Sequence, residues 1–182
     1  MTDELKDLVI PEFWRPTDDF SSHRPLLFLC LEYLIDGLVM EMGCGQGSTP
    51  VLGHYCYMHN RTLVSLETNK EWADQFPETT TLVTDYMGSF DKDEAKISVL
   101  FIDCAPGEIR KDLIKELADN AEIIVVHDTE PGAEYVYGLA EILASFKYRI
   151  DLHIPGMPST TAVSNKWDVR DMVGRWDEFT IV

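Results

Sequence analysis

A chain of 182 residues has room for one α/β domain with a substantial core and is short for two. Its 15 basic and 32 acidic residues give a net charge of −17, which repels phosphate backbones and anionic membranes and so argues against nucleic-acid and membrane partners. Its four cysteines, Cys30, Cys44, Cys56 and Cys104, form no Cys-x-x-Cys pair, and neither a signal peptide nor a ~20-residue apolar span is present, so a cytoplasmic protein with reduced thiols is expected.

Residues 1–21 mix charges with Phe13, Trp14 and Phe20, and Pro11 and Pro16 interrupt any long helix, which makes the segment an arm or lid. Over residues 22–36, Leu26, Leu27, Cys30, Leu31 and Leu34 recur at helical spacing, and Gly37 stands where that helix would end. Leu38, Val39 and Met40 then read as a buried parallel strand that passes through Glu41 into glycines at alternate positions, Gly43, Gly45 and Gly47. Such glycines let a backbone turn sharply and approach a ligand closely. Ser48, Thr49 and Pro50 supply a cap and a first helical turn, so the loop should deliver a nucleotide cofactor to a helix N-terminus. A dinucleotide fingerprint places a glycine sixth from the first, where this chain has Ser48, and that departure argues against NAD.

A helix over 51–58 leads to a strand at 62–66 that ends in Glu67. Asn69 caps a short helix through Trp72 to Phe76, and a third strand at 81–84 is closed by Asp85. The fourth strand, 97–102, precedes Asp103, and a helix through Leu113, Ile114 and Leu117 leads to a fifth at 122–126, followed by His127 and Asp128. A helix over 131–146, a strand at 148–154 and a last strand at 160–164 complete the alternation. The tail from Lys166 carries Trp167, Val169, Met172, Val173 and Trp176, which suits a closing helix or, alternatively, a homodimer seam. The expected organisation is one domain: an arm (1–21), a core (22–165) and a tail (166–182).

This order predicts a three-layer α/β/α sandwich on a mainly parallel sheet, with the last strand antiparallel because no helix joins the final two. Ligands bind outside the carboxyl ends of strands in such sheets, so Glu41, Glu67, Asp85, Asp103 and His127 with Asp128 should line one crevice. Glu67 lies 20 residues beyond Gly47, where an acidic strand end can accept both ribose hydroxyls.

Glu41, Gly43, Gly45 and Gly47, followed by acids at successive strand ends, resemble the class I S-adenosylmethionine-dependent methyltransferases over residues 22–164. The resemblance implies a seven-stranded Rossmann-like sheet and S-adenosylmethionine as cofactor, held by the loop through Ser48 and Thr49. It places Asp85 and Tyr86 at the adenine and His23 near the methionine end. The alternatives are a turn aspartate with a half-buried tyrosine, and a helix-start polar pair of His23 with Arg24. Phe-Ile-Asp-Cys-Ala-Pro at 101–106 resembles the motif that sets Asp103 beside the transferring methyl. In the catechol and caffeoyl-type O-methyltransferases an aspartate there and a pair after the fifth strand bind a divalent cation, so Asp103, His127 and Asp128 are candidate ligands. An imidazole suits manganese, iron or zinc better than magnesium. His127 could instead be a general base, or hold the loop while Asp128 or Thr129 caps the next helix. The expected activity is methyl transfer to a hydroxyl or amine of a small molecule. The alternatives are cleavage of the cofactor without an acceptor, or a non-catalytic partner protein.

Overall fold

Alternation along the central strands separates two apolar faces. Val39, Val99, Phe101, Ile123 and Val125 join one core with helix α1 (Arg24–Tyr33) and helix α2 (Thr49–Met58). Met40, Met42, Leu100, Ile102, Ile124 and Val126 join another with α4 (Arg110–Leu117) and α6 (Ala140–Ala144). A strand buried on both faces needs apolar residues at every position, as parallel strands covered by helices do. The computed structural model describes residues 10–91, 96–172 and 180–181.

The strands are β1 (Leu38–Met42), β2 (Leu63–Glu67), β3 (Thr80–Leu82), β4 (Ile97–Ile102), β5 (Ala121–His127), β6 (Tyr148–His153), β7 (Thr160–Ser164) and β8 (Thr180–Ile181). They lie in the order β3-β2-β1-β4-β5-β7-β6-β8. The first five run parallel, and β7 enters between β5 and β6 antiparallel to both. The expected seven-stranded sheet with an antiparallel last strand is therefore present. The two-residue β8, paired antiparallel with β6, was not anticipated. Of the expected tail helix, Val169–Met172 forms a short 3-10 turn buried against the α1 face, and Trp167 meets Tyr33 edge-on at 5.9 Å. Val173 and Trp176 lie outside the described residues. Among the described residues no helix is long and apolar enough to cross a membrane.

The helix expected over 131–146 is two helices, α5 (Pro131–Val136) and α6. Gly138 has φ of +68°, and Leu139 N–H donates to Glu134 O at 2.8 Å, which ends α5 as a left-handed glycine cap does.

Strand order reverses at β1, whose neighbours are β2 and β4, so the crevice opens above the ends of these strands. Asp19 and Phe20 of the arm reach its rim, while Trp14 packs into the α1 face of the core. The glycine loop is closed beneath by unusually near backbone: a Cβ on Gly47 would lie 1.7 Å from Phe20 O, and one on Gly43, at φ +92°, would lie 2.5 Å from Asp103 O. Gly47→Ala is expected to destabilise the chain by about 3 kcal/mol or more, because the arm must lift off the loop. Gly132→Ala, with nothing within 4 Å of its Cβ in α5, should instead stabilise by ~0.5–1 kcal/mol. Denaturant unfolding of the two variants checks both signs.

Candidate active site

At the reversal point lies a cavity of about 410 Å³. Cys44, Gly45, Gln46, Gly47 and Ser48 of the loop form one wall, and Glu67, Asn69 and Trp72 form a second. Asp103, Ala105, His127 and Asp128 close the far end, with Asp19, Phe20 and Pro158 at the rim. Helix α3 (Lys70–Ala73) presents Trp72, and Asn69 Oδ1 caps that helix by accepting from Glu71 N at 2.8 Å.

The loop is held from below by a chain of hydrogen bonds. Gly45 N donates to Thr49 Oγ1 at 2.9 Å, and Thr49 Oγ1 donates to Glu41 Oε2 at 3.0 Å. The Ser65 hydroxyl of β2 donates to the same oxygen at 2.5 Å. Glu41 is fully buried, and burial pushes its carboxyl up to about 7 against the pull of these hydroxyls. Glu41, Gly43 and Thr49 thus support the cavity rather than line it.

The far end is a compact ionic cluster. Asp103 Oδ2 lies 3.2 Å from His127 Nδ1, Ser22 Oγ lies 2.8 Å from His127 Nε2, and Asp128 Oδ1 stands 3.6 Å from Nδ1. Arg110, at the start of α4, donates from Nη2 to Asp103 Oδ1 at 3.0 Å and from Nη1 to Asp128 Oδ2 at 3.1 Å. It also donates to the carbonyls of Cys104 and His127, at 2.9 and 2.8 Å. Burial opposes charge on Asp103 and His127. Their mutual attraction outweighs it, holding the Asp103 carboxyl below the usual range and raising the His127 imidazolium above its ordinary value. His23 lies 4.9 Å from His127 ring to ring, neither of its nitrogens has a hydrogen-bond partner among the described residues, and burial lowers it to about 3.

No protein-family model and no curated protein matches the sequence. Solved structures match over most of it. A cofactor-bound protein from MTB, Rv0187, superposes with a TM-score of 0.60 at 15% identity over 91% of this chain and 86% of its own. The O-methyltransferase from Bacillus cereus in complex with S-adenosylhomocysteine gives 0.53 at 12% identity, covering 85% and 84%. Spermidine synthase from Thermotoga maritima gives 0.57 at 15% identity, covering 85% and 62%. Most such matches are methyltransferases.

The chain has the class I methyltransferase fold. At these identities the likeness establishes the fold alone, and the synthase among the matches means that the fold does not choose the group transferred.

Within this methyltransferase fold, Gly45, Gly47, Ser48, Glu67, Asp103, His127 and Asp128 meet around the cavity. Asp85 does not line it: the residue is exposed and its carboxylate accepts from Gly88 N at 2.9 Å, as a turn aspartate does. Tyr86 is buried in the second core with its hydroxyl unpartnered among the described residues, and His23 lies beneath the loop rather than in the wall. The helix after β5 is capped by neither Asp128 nor Thr129, since Glu130 occupies the cap position.

Glu67 departs from expectation in a second way. Its carboxylate accepts from Cys44 N at 3.0 Å and from Thr68 N and Asn69 N, both at 2.7 Å. Three of roughly four acceptor sites are therefore taken by backbone, leaving about one for a ribose hydroxyl rather than two. Glu67 must then be structural as well.

Sequence reasoning missed Phe20, Trp72 and Arg110. A basic residue in the first turn of α4 opposes the helix dipole, and that misplacement was the one signal for Arg110. Asp103, His127 and Asp128 are close enough to share a cation. However, two of their oxygens already hold the guanidinium, so the set does not fit a resident divalent ion while Arg110 is in place.

The buried Glu41 makes a signed prediction. Its folded pKa is raised, so its contribution is complete below the ordinary carboxylate range near 4.5 and is lost as pH rises through about 7. Glu41→Gln cannot ionise and is expected to gain on wild type by up to ~3 kcal/mol over that interval. Urea unfolding at a series of pH values reads the difference. A gap between the two proteins that does not change with pH would contradict it.

Proposed function

We propose that the protein transfers the methyl group of S-adenosylmethionine to a hydroxyl or amine of a small molecule. The carrying observation is a single cavity with the glycine loop and Glu67 on one side and Asp103, His127 and Asp128 on the other. When bound, the cofactor supplies an electrophilic sulfonium methyl. Gly45 and Gly47 allow backbone to close on it, and the remaining acceptor site of Glu67 suits a ribose hydroxyl. Phe20 at the rim and Trp72 in the wall, 70% and 40% exposed, are apolar surfaces that a ligand would cover.

Asp103 and His127 are the groups that can accept a proton from the nucleophile. Because Asp103 beside it raises the His127 imidazolium above its ordinary value against the effect of burial, proton removal by it weakens as pH falls. A volume of about 410 Å³ accommodates roughly one drug-sized ligand, which favours a small acceptor entering at the rim. The acidic surface agrees with a small-molecule partner in the cytoplasm rather than nucleic acid or membrane.

Calorimetry tests the reading. S-adenosylmethionine and S-adenosylhomocysteine are expected to bind near the low-micromolar range and NAD not at all. Glu67→Ala should weaken S-adenosylhomocysteine by about 2 kcal/mol or more and also lower the melting temperature, since three backbone amides lose their acceptor. Tight NAD binding with no response to S-adenosylhomocysteine would overturn the cofactor assignment.

A further inference from the structure

The carboxylates at the ends of β4 and β5 already share a cation, and it belongs to the chain. Arg110 is 5% exposed and uses four donations from its planar fork to reach Asp103, Asp128 and the carbonyls of Cys104 and His127. Tyr137 lies against the guanidinium at 5.2 Å. An ammonium or a bare ion offers no such flat set of donors to two carboxylates and two carbonyls at once.

We propose that Arg110 is a positioning residue that takes the place of a divalent cation at the acceptor end of the crevice, aiming Asp103 at His127 without metal. This rests on the methyl-transfer reading for the roles of Asp103 and His127. The geometry follows from the division of the Asp103 carboxylate: Oδ1 is pinned by Arg110, which turns Oδ2 toward His127 Nδ1. Asp128 is divided likewise, with Oδ2 on Arg110 and Oδ1 toward the same nitrogen. A dication on either carboxylate would sit beside a buried guanidinium in a poorly screened site and would be repelled by it.

The competing arrangement is His23, Asp103 and His127, each of which offers one donor atom within 4.8 Å of the others. Bonds of about 2.0–2.2 Å keep two donors on one ion within roughly 4.4 Å, and both His127 nitrogens already have partners in Asp103 and Ser22. The two nitrogens of His23 are without partners among the described residues, so this cluster is the outcome the test must separate.

The test is a Mn²⁺ titration of the full chain followed by electron paramagnetic resonance, repeated with Zn²⁺ by calorimetry. S-adenosylhomocysteine binding is measured in parallel. In wild type the Mn²⁺ signal should remain that of the free ion into the millimolar range. Arg110→Ala frees both carboxylates and should bind Mn²⁺ at least ~10-fold tighter than wild type, with methylguanidinium displacing the ion. Arg110→Lys retains the charge and should still exclude Mn²⁺, which a purely structural role would not require. If Arg110→Ala does not fold, Arg110→Gln, which keeps an amide donor and removes the charge, carries the same expectation. Wild-type binding of either ion that is lost in His23→Ala or Asp103→Asn overturns the proposal and makes the cluster a metal centre. A folded Arg110→Gln that takes up no Mn²⁺ overturns it as well. Failure of wild type to bind S-adenosylhomocysteine would remove the methyl-transfer reading while leaving the cation result to stand or fall by itself.

Discussion

The buried carboxylate of Glu41 holds the glycine loop, and the loop decides where every other part of the crevice can be. One oxygen receives hydroxyls from β2 and from the first turn of α2, and through Thr49 it reaches the amide of Gly45. Leaving a buried carboxyl with so few donors raises its proton affinity, which is a stability cost at neutral pH. The return is a rigid loop against which Phe20 O of the arm rests at Gly47. Arg24, the first residue of α1, ties that helix to the loop, donating from Nε to Gly47 O at 2.7 Å. Arm, loop and sheet end are therefore one mechanical unit.

The two ends of the cavity differ in chemistry because they differ in what terminates the strands. At the loop end, Glu67 is spent largely on backbone amides and shapes the wall as much as it offers a contact. At the other end, two aspartates, an arginine and a histidine neutralise one another, so a buried ionic cluster persists without an uncompensated charge. Asp103 raises the His127 imidazolium above its ordinary value and so favours its charged form, whereas His23 beside it stays neutral because burial forbids a second positive charge there.

Strands and their ends were legible because a doubly covered parallel strand is an unbroken apolar run, and the residue that breaks the run is a polar one at its carboxyl end. Leu38 to Met40 and Val99 to Ile102 announce themselves in this way, with Glu41 breaking the first run and Asp103 the second. What failed to show was direction. Glu41 points beneath the loop although it precedes it, and Asp85 turns to solvent because β3 is a three-residue edge strand that stops early. Gly138 falls inside the helix expected over 131–146, and its left-handed backbone makes it the stop that divides that helix in two. Arg110 was hidden because a charged residue on an amphipathic helix usually belongs to solvent. Only the third dimension brings two strand ends within its reach.

The claim on which the rest depends is that this crevice is a S-adenosylmethionine site. A crystal structure with S-adenosylhomocysteine tests it most directly. The account predicts the ribose against Glu67, the glycine loop along the adenosyl group and the sulfur facing Asp103 and His127. Ligand density in another part of the molecule, or a pose with Glu67 and Asp103 both out of contact, would contradict it.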